Sequence, residues 1–203
     1  MAADAMRSRD KPVLFDDGAF RAFEIGIEDA PRLQQFLEAN PEYYFTVGGV
    51  GPKPTEAIEE LEYLPPAEMP YRKMWMLEFR GEGEAMIGMA GVVSGLIAEN
   101  VWHVGLFIVA TALHGSGKAR EIYDALESWM RDNGARWSRL GVVQGNLRAE
   151  RFWERQGYVE TRKRVLEEAG RRTNTVRVMA KPLAGGSVAE YLAIVARDRP
   201  ESP

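Results

Sequence analysis

The run at residues 101–110, Val-Trp-His-Val-Gly-Leu-Phe-Ile-Val-Ala, constrains this chain more than any other feature. Its almost unbroken apolar character reads as a central strand covered on both faces. Such a strand needs neighbouring strands at its sides and other elements above and below it. Four residues further on stands His114-Gly115-Ser116-Gly117-Lys118-Ala119. Glycines there let the backbone approach a ligand, and the free N–H groups of a helix start point at negative charge. The helix is expected over 117–133. Ala119, Ile122, Tyr123, Leu126, Trp129 and Met130 fall at helical spacing, with Ser116 as cap and Gly134 as stop. Strand, glycine turn and helix together read as an anion cradle. A mononucleotide loop fails on two of its fixed points, where Ala112 and Ala119 stand. A dinucleotide fingerprint fails at Arg120, where its third glycine belongs. For the hexapeptide alone, a glycine-rich turn without a ligand stays open.

The other segments alternate. Strands are expected over 20–27, 73–80, 84–96, 137–143, 158–166 and 173–181. A helix within 27–40 has Asp29 as cap, Pro31 in its first turn, and Leu33, Phe36 and Leu37 as its stripe. A second, over 55–64, starts at Thr55 and carries Ala57, Ile58, Leu61 and Leu64 on one side. A short helix over 147–156 is closed by Gly157. Ser187 and Glu190 form a capping box, opening a helix with Val188, Tyr191, Leu192 and Val195 on one face. The order is mixed α/β with antiparallel pairs and no long βαβ array. Loose segments are expected at 1–12, 48–54 and 64–70 and after Arg197, and a turn at 167–172 joins the last two strands.

Composition removes several chemistries. The 203 residues include no cysteine, which excludes disulfides, thiolate metal sites and a cysteine nucleophile. Two histidines, His103 and His114, argue against a histidine-built metal site, and none is expected. The net charge of −4 argues against nucleic acid as a partner. It is unevenly spread. Residues 1–100 carry 9 basic and 18 acidic side chains, and residues 101–203 carry 17 and 12. That asymmetry reads as two halves facing different partners, or as chance. The polar start has no signal-peptide core, and the longest apolar stretch, residues 86–98, is too short to span a membrane. A cytoplasmic protein without a membrane partner is the expectation.

The cradle resembles the pyrophosphate loop Arg/Gln-x-x-Gly-x-Gly/Ala of the GNAT superfamily of acetyl-CoA-dependent N-acyltransferases. His114 stands where Arg or Gln is usual, with Gly117 and Ala119 in register. A second stretch, from Asn146 through Ala149, Phe152 and Trp153 to Gly157 and Tyr158, resembles that family's Asn-x-x-Ala-x-x-Phe-Tyr/Trp-x-x-x-Gly-Phe/Tyr. Both motifs occur in order, separated by one helix and one strand. The resemblance covers residues 15–182. It implies an α/β fold of the α+β type, with a mixed, mostly antiparallel twisted sheet of about six to seven strands and helices on both faces. The organisation expected is a flexible N-terminus at 1–12, one acetyltransferase-like domain at 13–184, and, outside the resemblance, a C-terminal helix and tail at 185–203.

For the site, the resemblance implies acetyl-CoA as co-substrate. The backbone of Phe107, Ile108 and Val109 would meet its pantetheine arm. The turn at His114, Gly115, Ser116, Gly117, Lys118, Ala119 and Arg120 would hold its pyrophosphate. Asn146, Ala149, Phe152 and Trp153 would line the same cleft. The reaction is attack of a neutral amine on a thioester carbonyl, with a backbone N–H near Ile108 or Val109 for the oxyanion. The position where many relatives carry a carboxylate base is Gly105. Strand alternation puts His103, Gly105 and Phe107 on one face, which makes His103 the candidate base, ahead of Glu99 and Glu84. A tyrosine that often serves as acid is replaced by Trp153, leaving Tyr158 and Tyr123 as substitutes. The acceptor is expected to be an amine of a small molecule or a protein. Glu38, Glu42, Glu56, Glu59, Glu60, Glu62 and Glu68 would favour a cationic one. Arg162, Lys163, Arg164, Arg171 and Arg172 read as a solvated turn of the last hairpin. A homodimer is expected from the apolar face of the last helix. A non-catalytic acyl-CoA-binding module is the alternative, since Gly105 and Trp153 depart from the common pattern.

Overall fold

The computed structural model describes residues 11–167 and 172–202. Eight strands form one open sheet: β1 (Val13–Asp16), β2 (Arg21–Glu24), β3 (Lys73–Arg80), β4 (Met86–Ser94), β5 (Val101–Val109), β6 (Trp137–Val143), β7 (Val159–Leu166) and β8 (Asn174–Pro182). Their spatial order is β1-β2-β3-β4-β5-β6-β8-β7, antiparallel throughout except for the β5–β6 pair. The sheet exceeds the expected six to seven strands because of β1, whose four residues are too few to show a period. It pairs with β2 across an irregularity between Val13 and Phe15.

Helices cover both faces. On one lie α4 (Lys118–Asp132) and α5 (Leu147–Arg155), which reach the sheet through Ile122, Tyr123, Leu126, Trp129, Met130 and Trp153. On the other lie α1 (Ala30–Ala39), α2 (Glu42–Gly48) and α3 (Glu56–Glu62), packed on Met76, Met89, Leu106 and Ile108. The last helix, α6 (Val188–Ile194), shares this second face through Tyr191 and Val195 against Val101, Trp137 and Ala180. Among the described residues no helix is long and apolar enough to cross a membrane.

Helix α2 has no counterpart in the sequence reading, because its Tyr43-Tyr44-Phe45 run lacks an apolar stripe at helical spacing. Two caps also differ. Asp29 turns its carboxylate to the Gly26 amide, Arg32 and Lys11, and Thr55 bonds Glu59 instead of capping. The Ser187–Glu190 box forms as read: Ser187 Oγ accepts from the Glu190 amide at 3.2 Å, and Glu190 accepts from the Ser187 amide at 2.7 Å.

The segments expected to be loose are mostly pinned. Met69 is buried, and its amide donates to the Pro66 carbonyl. Lys53 is held at both main-chain groups, by Glu56 and Gln34. Past Arg197, Asp198 is 1% exposed and binds Arg139. Of the N-terminal 1–12, only Lys11 and Pro12 are described, and Lys11 bonds Glu28. The turn expected at 167–172, with Arg171, lies mostly outside the described residues. The apolar face of α6, on which a homodimer was expected, is used within the chain: Tyr191 and Val195 are fully buried.

Candidate active site

The site begins with a change of partner along β5. Val101 to Val104 pair in parallel with Trp137 to Leu140, and there the ladder ends. Beyond it, β5 pairs only with β4, and β6 continues to Val143 paired only with β8. The strands part into a cleft of about 100 Å³ that passes through the sheet. Val104, Gly105, Leu106 and Phe107 form one wall and Leu140 to Val143 the other. Tyr43 and Val47 of α2 stand at one mouth, and Asn146, Ala149 and Trp153 of α5 at the other.

The parting coincides with a β-bulge. Gly91 pairs with Leu106, while the next residue, Val92, pairs with Val104, so Gly105 is the extra residue of β5. A bulge reverses side-chain alternation. His103 and Gly105 face α1–α3, whereas Phe107 crosses to the α4–α5 face and stacks on Phe152 at 5.9 Å. The expectation that His103, Gly105 and Phe107 share a face is therefore corrected.

The bulge also fixes which backbone groups face the cleft. The Ala110 amide donates to the Ile87 carbonyl of β4. In an antiparallel ladder alternate residues point to opposite strands, so Ile108 also faces β4, and Phe107 and Val109 face the cleft. Ile108, expected at the arm and the oxyanion, has its main chain committed to the ladder and contributes packing. Val109 therefore turns its amide toward the cleft, and its carbonyl accepts from His114 Nε2 at 3.0 Å.

His114 is a strut of the loop. With Nε2–H donated to Val109, Nδ1 accepts from Arg148 Nη1 at 2.8 Å. Gly115 (φ 80°) and Gly117 (φ 90°) adopt left-handed conformations, and a side chain on either would project into open space. Ser116 Oγ donates to the Leu113 carbonyl at 2.7 Å and accepts from the Lys118 amide at 3.3 Å. Among the described residues, the amides of Gly115, Gly117 and Ala119 meet no acceptor. Three free N–H groups at the start of a fifteen-residue helix make an anion cradle that fits a pyrophosphate. Lys118 pairs with Glu121 and Arg120 with Asp124, so both side chains lean along the helix. Arg148 is the basic residue that approaches the loop, and it sits at an unassigned position of the second motif.

Asn146 caps α5, its side-chain oxygen accepting from Ala149 N at 3.2 Å. That leaves its amide group at the cleft. Trp153 is packed on Tyr123 at 5.0 Å. Tyr158, expected as a substitute acid, is turned into the core: its hydroxyl donates to Ser138 and bonds Tyr123 at 2.6 Å. Burial raises both phenols above their ordinary range. They brace β6 against α4 and do not line the cleft.

His103 lies where β5 and β6 still pair. Its Nδ1 is 3.1 Å from the Arg139 carbonyl and 3.3 Å from Arg139 Nη1. Nε2 leans over Gly105, 3.6 Å from where a Cβ would stand. Burial, and then the Arg139 guanidinium, push the imidazole down to about 3. Arg139 is held by Asp198 through Nε at 2.6 Å and Nη2 at 3.1 Å, and Tyr191 also donates to Asp198. Glu84 is instead paired with Arg21 and Arg80. Glu99 lines a separate cavity at the other end of the sheet, with Trp75 and Trp102.

Two links were missed by the sequence reading. Asn40 Oδ1 accepts from the Thr111 amide at 2.7 Å, and Glu42 accepts from the Thr111 hydroxyl. They clamp α1 and α2 to the end of β5 and fix one mouth of the cleft. Only spatial contact joins these residues, which lie far apart in the chain.

Comparison with known proteins agrees with this geometry. A model of the acetyltransferase (GNAT) family matches residues 32–158, more than half of the chain, and the chain belongs to that family. The family's acyl donor is acetyl-CoA. An acetyltransferase from Thermus thermophilus superposes with a TM-score of 0.60 at 19% identity, over 84% of this chain and 99% of that one. The spermidine N-acetyltransferase from Vibrio cholerae, in complex with CoA and spermine, gives 0.61 at 16%, over 83% and 98%. The ribosomal-protein-S18-alanine N-acetyltransferase from Escherichia coli gives 0.55 at 13%, over 83% and 96%. At these identities the likeness is one of fold. No curated protein matches the sequence.

Proposed function

We propose that this chain transfers the acetyl group of acetyl-CoA to a primary amine by direct attack in a ternary complex. One observation carries the reading: the through-sheet cleft opens beside a loop of three unpartnered amides. The loop amides of Gly115, Gly117 and Ala119 receive the pyrophosphate. The pantetheine arm lies along the free edges of Phe107 and Val109, with the Asn146 side-chain amide beside it. The acceptor enters from the α2 mouth, past Tyr43 and Val47.

The amine nitrogen bonds to the thioester carbon, the carbon–sulfur bond breaks, and the proton then released from the nitrogen passes to the departing sulfur, giving the thiol, or to water, leaving the thiolate. An amide of the free β5 edge, Val109 or Phe107, stabilises the oxyanion. His103 holds the amine. With its proton on Nδ1 toward the Arg139 carbonyl, Nε2 keeps a lone pair above Gly105. A group pushed down to about 3 is neutral at working pH. It therefore orients an amine N–H, and the ammonium sheds its proton to water before attack. The departing thiol, with an ordinary value of about 8.5, leaves without a dedicated acid.

Free-thiol release from acetyl-CoA across a panel of amines tests the reaction. Release that depends on an amine is expected. No release with any amine, alongside CoA binding, replaces this reading with an acyl-CoA-binding module.

A further inference from the structure

The acidic half of the chain pointed to a cationic acceptor; of the carboxylates behind that reading, Glu59 is ion-paired, while Glu42, Glu56 and Glu60 bond Thr111, the Lys53 amide and Tyr44. Glu24 pairs with Lys73, Glu28 with Lys11, Glu59 with Lys53, and Glu78 with Arg32 and Arg80. At the acceptor mouth the charge has the opposite sign. Register places Arg164 opposite Val176, and Val176 opposite Val143, so the three share a face. Arg162, Val178 and Gly141 form the next row, and His103 and Gly105 stand across the cleft on the same side. Gly105 and Gly141 expose backbone on this side, with the His103 ring leaning toward the first and Val176 Cγ1 over the second.

Arg139, Arg162, Arg164 and Arg197 gather here around one carboxylate, Asp198. That carboxylate is saturated by Arg139 and Tyr191. Arg162 donates to the Arg197 carbonyl at 2.6 Å. Arg164 is half-buried and makes no hydrogen bond or ion pair among the described residues. Burial, and then Arg139 and Arg197, hold it below its ordinary value, a strain that a bound anion would relieve. Guanidinium is the side chain best shaped to fork onto carboxylate or phosphate.

We propose that Arg164 binds an anionic group on the acceptor, so that the substrate is a primary amine bearing a carboxylate or phosphate. This rests on the acetyl-transfer reading above. The test compares kcat/KM for matched acceptors: aminocarboxylates, their carboxamides, aminoalkyl phosphates and diamines. An aminocarboxylate or an aminoalkyl phosphate should exceed its neutral or cationic counterpart by about 10- to 100-fold, the range for a charged hydrogen bond. The better anion names the source. Arg164→Gln should bring the ratio toward one, Arg164→Lys should restore part of it, and Lys163→Gln should keep it. Equal rates for the acid and its amide, or a ratio unchanged in Arg164→Gln, overturns the proposal. Should no amine react, the transfer reading fails instead. Calorimetry of succinate and phosphate on the CoA-loaded chain then decides this one. Binding lost in Arg164→Gln supports the anion site, and no binding, or binding unchanged in the variant, overturns it.

Discussion

The two mouths of the cleft are built on opposite principles. The mouth proposed for the cofactor is made of backbone: free amides, two left-handed glycines and a helix start, with one histidine–arginine strut behind them. The mouth proposed for the acceptor is made of side chains from distant segments. Its ordered charge, Arg139, sits between His103 on β5 and Asp198 from beyond the last helix. The first kind of site is encoded in a few consecutive residues and tolerates drift elsewhere. The second depends on every element that packs around it, and it is where this chain departs from its family's common pattern at Gly105.

Disrupting the acceptor mouth should unfold the chain before it dulls chemistry. Asp198→Ala leaves Arg139 as a buried, uncompensated cation and should cost about 3–5 kcal/mol in denaturant unfolding. A loss below about 1 kcal/mol would mean that the C-terminal segment is not part of the frame. The cofactor mouth should break without unfolding. Gly117→Glu puts a carboxylate among the cradle amides and a side chain at φ 90°, and calorimetry should show CoA binding weakened at least about 100-fold. Full affinity in that variant would misplace the cradle.

His103→Gln sharpens the contrast. It should lower kcat by about 100-fold while CoA affinity stays, since the role proposed for the ring is on the acceptor side. The wild-type rate should rise with pH up to the acceptor's own ionisation, with no inflection near 6.5. Stability should show the histidine instead. The unfolded ring takes a proton below about 6.5 and the folded ring only near 3, so stability is complete above 6.5 and drains as pH falls between them. Asp198, held below its ordinary value, adds a loss below about pH 4. The His103→Gln variant should flatten the upper part of that profile. Asn146→Ala is the mildest change: one helix cap, about 1 kcal/mol, with CoA affinity reduced alongside.

Local signals were legible wherever the physics is local. The strand at β5, the glycine cradle, α4, the capping box at Ser187 and the motif from Asn146 to Tyr158 are each decided within one or two turns of chain. The family and most of the sheet follow from them. Tertiary structure decided what depends on a neighbour. The bulge at Gly105 lies where β5 changes partners, and it sent Phe107 to the opposite face from His103 and committed Ile108 to β4. Tyr158 looked available in sequence and is a core strut, because Ser138 and Tyr123 close on its hydroxyl. The tail looked loose, yet Asp198 reaches the sheet to neutralise Arg139. The charge split of the sequence was real, but its meaning at the acceptor mouth lay in which charges had found partners and which, like Arg164 among the described residues, had not. Sequence carries the sign of a charge; only the packed chain says whether it is already answered.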